Sequence, residues 1–165
     1  MVRNSERFQF INQSERATYI YKVYKEYLDD GVVDVGSYKS DLRRYVRGKY
    51  YGLDILESED VDCVLDLEKS KIPLKDSSYN CVVCSDVLEH VDNFNGVFAE
   101  LLRVSNRYVL ISLPNLYNYE TVIRILLGKK IKFYGLESSD ADDRHKWFPS
   151  HFQTIDYFKK NKKLH

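Results

Sequence analysis

The stretch VVDVGSYKSDLRRYV, residues 32–46, predicts a strand, a tight turn and a helix in direct succession. The segment VVDV is short and rich in β-branched residues, as buried strands are. Asp34 is followed closely by Gly36, which allows the backbone to pass close to a ligand. Ser40 or Asp41 then opens a short helix, whose first N–H groups are free to bind an anion. This order is typical of the first turn of a nucleotide-binding sheet.

The rest of the chain continues in the same pattern of short apolar strands and amphipathic helices. We expect four more strands, in YYGLDI, DCVLDL, NCVVCSDV and RYVLISL. We expect helices in SERATYIYKVYKEYLDDG, capped by Ser14 and ended by Gly31, in NFNGVFAELLRV, in NYETVIRILLG and from about Thr154 onward. Strands of this length separated by helices or loops describe an α/β protein with a doubly wound, mostly parallel sheet.

Size and composition limit the possible functions. The chain has 165 residues, which fits one domain, and its 25 basic and 25 acidic residues cancel, which argues against a nucleic-acid partner. No run approaches the ~20 apolar residues of a membrane span, and the start lacks a signal peptide's apolar core. The low, odd cysteine count favours a cytoplasmic protein. Cys81 and Cys84 form a C-x-x-C inside a predicted strand, where alternation points them to opposite faces.

Polar residues follow the predicted strands at the point where each strand ends. In a doubly wound sheet, ligands bind beyond these carboxyl ends. Asp34 ends the first strand and Asp54, 20 residues later, ends the second. An acid at that second position can accept hydrogen bonds from both hydroxyls of a ribose. The third, fourth and fifth strands end in Asp66-Leu67, in Ser85-Asp86 and in Ser112 with Asn115. The sequence therefore predicts a ligand site along one rim of the sheet.

These strand ends resemble those of the class I S-adenosylmethionine-dependent methyltransferases, in their small-molecule branch. The resemblance is carried by Asp34-Val35-Gly36, Asp54, Asp66-Leu67 and above all YNCVVCSDVLEHV, residues 79–91. It extends over about residues 32–115 and more loosely over DRHKWFPSHF. It implies S-adenosylmethionine as the cofactor.

The resemblance also implies a place for the individual site residues. Those expected to bind the cofactor are Asp34 and Gly36 at its methionine part with Ser37 beside them, Asp54 at the ribose, Ile55 and Leu67 on either side of the adenine, Asp66 at the adenine amino group, and Ser85 near the sulfonium and methyl. Methyl transfer mainly requires alignment of the acceptor with an already activated methyl group. The candidates for a catalytic role are Asp86, His90 and His145.

A metal is not expected. Asp86, Glu89 and His90 form D-x-x-E-H, similar to the E-x-x-E-H with which some O-methyltransferases hold a divalent cation. Three ligands from one short segment underdetermine a metal site, and LEHV also occurs in metal-free relatives. These three residues are the candidate ligands if a metal does bind, and His145 could supply another ligand or act as a base.

Two features depart from the pattern of the family. Of the three glycines in D-x-G-x-G-x-G only Gly36 is present, with Tyr38 and Ser40 at the other two positions. The family's sheet has seven strands, whereas this sequence predicts five, in the order 3-2-1-4-5, as a truncated version of that fold. The fifth strand would then be an exposed edge that a second copy of the chain or another partner covers.

We therefore expect a single domain over residues 1–165, made of a helical segment (1–31), a cofactor-binding core (32–115) and a helical cap with loops (116–165). The predicted function is methyl transfer from S-adenosylmethionine to a small-molecule, sugar or lipid-like acceptor. Two alternatives stay open. One is a non-catalytic methyltransferase-like protein that acts through a partner, and the other is a metal-assisted O-methyltransferase.

Overall fold

The computed structural model describes residues 12–39, 41–131, 145–147 and 149–161, and contains one parallel sheet. Its strands are β1 (Val32–Val35), β2 (Tyr50–Asp54), β3 (Cys63–Val64), β4 (Tyr79–Ser85) and β5 (Ser105–Ser112). Their order is β3-β2-β1-β4-β5 and every neighbouring pair is parallel, which confirms the predicted fold class and strand order.

The helices are α1 (Gln13–Leu28), α2 (Phe94–Val104), α3 (Tyr119–Leu126) and α4 (His151–Asn161), and a 3-10 helix, Asp41–Arg44, follows β1. No helix in the described part of the chain is long and apolar enough to cross a membrane. The assignment of segments 1–31, 32–115 and 116–165 to separate roles stays a prediction.

The sheet has an apolar core on each face because successive strand side chains alternate. One core, with α2, includes Val33, Val35, Leu53, Val82, Cys84 and Leu101. The other, with α1 and the 3-10 helix, includes Ala17, Leu28, Val32, Leu42, Cys81 and Val83. Cys81 and Cys84 thus lie in different cores, as the alternation predicted. Because burial also raises the pKa of both thiols, neither is disposed to redox or metal chemistry.

Several elements differ from the prediction in their bounds or type. Asn12, not Ser14, caps α1, because its side chain accepts from the Glu15 N–H at 2.9 Å. The helix after β1 is a single 3-10 turn. Strand β3 is two residues long, because the chain turns at Asp66, whose carbonyl accepts from the N–H groups of Lys69 and Ser70.

The last helix begins at His151, three residues before the predicted Thr154. Ser150 and Gln153 form a reciprocal capping box there. The Gln153 N–H donates to the Ser150 hydroxyl at 3.2 Å, and the Ser150 N–H donates to the Gln153 side chain at 2.9 Å. The sequence S-x-x-Q carries the signal for this cap.

Strand β5 is the edge of the sheet, as predicted, since no described strand pairs with its outer side. Helix α3, which follows it, exposes several large apolar side chains: Tyr119, Val122, Ile123, Ile125 and Leu126. More than half of the large exposed apolar side chains among the described residues lie within residues 117–127.

Candidate cofactor site

A small cavity lies at the carboxyl ends of β1 and β4, where the sequence predicted a ligand site. The strand ends contribute Asp34, Gly36, Ser37 and Ser85, and the covering helices contribute Arg16, Ala17, Ile20, Asp41 and Leu42. The cavity has a volume of about 30 Å³. Four predicted cofactor residues therefore meet at one place, under the first turns of α1.

Gly36 is required at the turn after β1. Its φ is +74°, a conformation that L side chains rarely adopt, and an added Cβ would lie 2.3 Å from Val87 Cγ2. The N–H groups of Gly36 and Ser37 both donate to the Leu53 carbonyl, at 2.9 and 3.1 Å. These bonds fix the turn against β2.

Asp34 is buried and lines the same cavity. Its carboxylate accepts from the Tyr50 hydroxyl at 2.6 Å. Burial raises the pKa of Asp34 from 3.8 to about 6, although the Tyr50 hydrogen bond and the charge of Arg16 act to lower it. Close by, the buried Ser37 hydroxyl has no hydrogen-bond partner among the described residues. A buried acid and an unsatisfied hydroxyl at one cavity are typical of a site built for a polar ligand.

Arg16 is the cationic side chain of the cavity, and sequence reasoning missed it. Its guanidinium forms a salt bridge with Asp86, which also accepts from the Ser112 hydroxyl at 2.7 Å. Asp86 has a φ of +54°, so the turn that presents it after β4 is strained. The partners are 70 positions apart, and no local pattern in the sequence connects them.

Asp54 holds the loop that carries Tyr38. One carboxylate oxygen accepts from the Tyr38 N–H and the other from the Leu56 N–H, both at 2.8 Å. Tyr38 takes the place of the family's second glycine and has a φ of +42°. Tyr38 therefore adopts the left-handed backbone conformation that a glycine would have at this position. The buried Asp54 stabilises this conformation through its hydrogen bond to the Tyr38 N–H.

The residues predicted at the adenine do not line this cavity. Ile55 is 62% exposed just beyond β2, and Leu67 packs against the core. Asp66 accepts from the Glu68 N–H at 3.0 Å and pairs with Lys69, which together lower its pKa. The Asp66 carboxylate thus binds neighbouring residues of the turn that follows β3.

The predicted catalytic residues separate into two places. Asp86 lies with Arg16 and Ser112, as described. The rings of His90 and His145 lie edge to face, with centroids 4.9 Å apart and planes at 82°. Buried Glu89 joins the two histidines, and the ligand-capable atoms of all three lie within 4.8 Å of one another.

The chain is similar to known proteins in sequence family and in fold. Residues 31–108 match a family model described as a methyltransferase domain. No curated protein matches the sequence significantly.

Several solved structures share the fold. A SAM-dependent methyltransferase from Archaeoglobus fulgidus is 16% identical, with a TM-score of 0.63 over 90% of this chain and 67% of that one. The magnesium protoporphyrin IX methyltransferase ChlM from Synechocystis PCC 6803, with bound SAH, is 17% identical, with a TM-score of 0.58 over 90% and 72%. The small RNA methyltransferase HEN1 is 19% identical, with a TM-score of 0.61 over 98% of this chain and 23% of its own.

Proposed function

We propose that this chain, which carries a class I S-adenosylmethionine-dependent methyltransferase domain, transfers a methyl group to a small-molecule, sugar or lipid-like acceptor. When bound, S-adenosylmethionine would supply a methyl group that is already activated on a sulfonium. The residues of the chain have to bind the cofactor, orient it and exclude water.

The observation that carries the proposal is the grouping of Arg16, Asp34 and Ser37 around one cavity. An amino-acid end group has a carboxylate and an ammonium. Arg16 offers a guanidinium for the carboxylate, and Asp34 offers a buried carboxylate for the ammonium. The unpaired Ser37 hydroxyl supplies a further hydrogen bond. The donor and acceptor set therefore fits the methionine part of the cofactor.

Asp54 fits the ribose without giving up its present contacts. A carboxylate has about four acceptor positions. Two are used by the Tyr38 and Leu56 N–H groups. The remaining two are sufficient for a pair of ribose hydroxyls. Ile55, which is exposed beside Asp54, offers an apolar surface for the adenine.

Binding requires α1 to adjust. The cavity of about 30 Å³ is roughly ten times smaller than the ~300–1,000 Å³ of ordinary small-molecule pockets. Arg16 and Ile20 reach into it from α1, so their side chains must move before the cofactor enters. We propose that Arg16 exchanges Asp86 for the cofactor carboxylate, which would connect cofactor binding to the position of α1.

The charge of the chain favours a small acceptor. The fold itself does not decide, because ChlM is named for a porphyrin and HEN1 for small RNA. An RNA-binding surface normally has a basic excess. Here 25 basic residues balance 25 acidic ones.

The test is turnover with tritiated S-adenosylmethionine and acceptor panels of phenols, amines, sugars, lipids and RNA oligonucleotides. We expect label in a small acceptor and an equal amount of S-adenosylhomocysteine. Arg16→Ala should raise the KM for the cofactor at least tenfold, about 1.4 kcal/mol. Arg124→Ala on exposed α3 is the matched control and should not change it. Label only in RNA contradicts the small acceptor, and cofactor binding without any turnover supports the non-catalytic alternative.

A further inference from the structure

We propose that helix α3 and the two lysines after it bind the surface of a membrane that contains anionic lipids. The helix is Tyr119–Leu126, and Lys129 and Lys130 follow it. None of these residues lines the cavity of the proposed cofactor. Eight residues make a helix about 12 Å long, less than half of the ~30 Å hydrocarbon core. The helix would therefore lie along the membrane surface.

Helix α3 stands apart from the two apolar cores of the sheet. None of its residues is buried, whereas α1 and α2 each place apolar side chains in a core. From residue 117 to residue 130, every residue except Thr121 is exposed. The exposed fraction reaches 82% at Tyr119 and 80% at Leu126. An exposed apolar surface of this kind marks a site of contact with another apolar phase.

The apolar side chains of α3 lie on one continuous arc. At about 100° per residue, they cover about 200° of the helix circumference. They are Tyr119, Val122, Ile123, Ile125, Leu126 and, at the C-cap, Leu127. The opposite arc is polar, and there Arg124 pairs with Glu120 at 3.1 Å. An apolar arc opposite a charged one is typical of helices that lie in the membrane interface.

The basic residues around α3 give this part of the chain a positive charge. Between residues 105 and 131 the basic residues are Arg107, Arg124, Lys129 and Lys130, and Glu120 is the only acid, which gives a net charge of +3. Because the whole chain has 25 basic and 25 acidic residues, the remainder is net negative. The positive charge is thus concentrated beside the exposed apolar side chains, where it complements an anionic lipid surface.

Backbone and side-chain hydrogen bonds fix both ends of α3. The Asn118 side chain accepts from the Thr121 N–H at 2.9 Å and caps the start of the helix. Gly128, with a φ of +63°, ends it. The Lys129 N–H donates to the Arg124 carbonyl at 2.8 Å. The short helix is therefore capped at both ends, and Lys129 is held against its last turn.

An anionic lipid surface fits these features better than a second copy of the chain. Two copies that met through α3 would bring two segments of net positive charge together. Anionic headgroups bring the opposite charge, and each Lys or Arg near them contributes to binding. In water a second copy is expected at this face together with the β5 edge, and we expect anionic lipid to displace it.

The experiment is co-sedimentation of the intact chain with two kinds of vesicle, phosphatidylcholine alone and phosphatidylcholine with about one third phosphatidylserine. The chain should bind the anionic vesicles at least about tenfold more tightly, and salt should weaken this binding. Leu126→Glu and Lys129→Glu should each weaken it at least tenfold, about 1.4 kcal/mol. The matched controls are Leu56→Glu, at a 57% exposed leucine after β2, and Lys159→Glu, at an exposed lysine of α4; both should bind normally.

Hydrogen exchange of the wild-type chain does not depend on the folding of any variant. Anionic vesicles should slow amide exchange in residues 117–130 and leave that of α2 unchanged. Equal binding to the two kinds of vesicle, slower exchange only outside residues 117–130, or normal binding of a folded Leu126→Glu would each overturn the proposal. A dimer that persists beside anionic vesicles without binding them would also overturn it, and would identify a second copy as the partner. None of these readouts requires methyl transfer, so they are independent of the proposed function.

Discussion

Replacing Asp34 with asparagine should stabilise the free protein near neutral pH while weakening its cofactor site. The carboxyl is buried, and its pKa is raised from 3.8 to about 6 mainly by loss of hydration. Asparagine keeps the shape and an oxygen that can accept from the Tyr50 hydroxyl, but it has no charge to bury. The Asp34 carboxylate is thus expected to lower the free energy of unfolding of the free protein while it contributes a charge to the cofactor site.

The magnitude follows from the two pKa values. Below pH 3.8 the carboxyl is protonated in both the folded and the unfolded chain, so it has no effect. Between pH 3.8 and 6 the unfolded chain loses its proton first, and the free energy of unfolding falls as the pH rises. At 1.36 kcal/mol per pKa unit the full loss is about 3 kcal/mol, and it stays constant above pH 6. For a chain of this size that corresponds to about 6–12 °C in melting temperature.

The assay is urea unfolding of wild type and Asp34→Asn from pH 4 to pH 8, without cofactor. The free energy of unfolding of Asp34→Asn should exceed that of wild type by a small amount at pH 4 and by about 3 kcal/mol above pH 6. Asp66→Asn is the matched control. Its pKa is lowered by Lys69 and the Glu68 N–H, so the stability it provides is present at neutral pH and lost in acid. That variant should be no more stable than wild type.

A difference between wild type and Asp34→Asn that does not change with pH would refute this reasoning, and so would a loss of stability at pH 7. The same variant should bind S-adenosylhomocysteine more weakly, because the ammonium loses its charged partner. If Asp34→Asn is more stable than wild type but binds S-adenosylhomocysteine with unchanged affinity, Asp34 does not bind the cofactor.

Three other outcomes follow from the structure. Asp54→Ala should weaken S-adenosylhomocysteine binding by about 1–3 kcal/mol in calorimetry, and Glu57→Ala should not. Equal affinities of wild type and Asp54→Ala would show that Asp54 does not bind the ribose. Gly36→Ala, at a φ of +74° and with its Cβ 2.3 Å from Val87 Cγ2, should lower the free energy of unfolding by about 1–3 kcal/mol. Gly128→Ala, at a φ of +63° in open space, should cost only about 1 kcal/mol, and equal losses would contradict the steric argument. Light scattering should show that the chain forms a dimer through the β5 edge and α3. Leu126→Glu, at an 80% exposed position, should dissociate this dimer. A wild-type protein that is monomeric at all concentrations would contradict the dimer.

The sheet could be predicted because its signals are local. The β-branched run Val32–Val35 and the apolar run in Tyr79–Ser85 are buried on both faces, as parallel strands are. Acids and glycine at their carboxyl ends marked the rim, and the cavity lies there. Strand β3 was predicted too long, because an apolar pattern alone does not show that the chain turns at Asp66.

The site was only partly predictable because its remaining contacts are long-range. Nothing near Arg16 in the sequence indicates that α1 places it over β4 and beside Asp86. The same holds for His145, which reaches Glu89 through a backbone hydrogen bond of the next residue. Tyr38 shows a different limit. A missing glycine suggested a changed loop, but Asp54 supports the tyrosine in a glycine-like conformation.

Titration of the intact chain with S-adenosylhomocysteine in a calorimeter tests the central claim most directly. We expect one site per chain with micromolar affinity, weakened in Arg16→Ala and Asp54→Ala and unchanged in Arg124→Ala. Absence of binding heat up to high micromolar concentrations, confirmed at a second temperature, would contradict it.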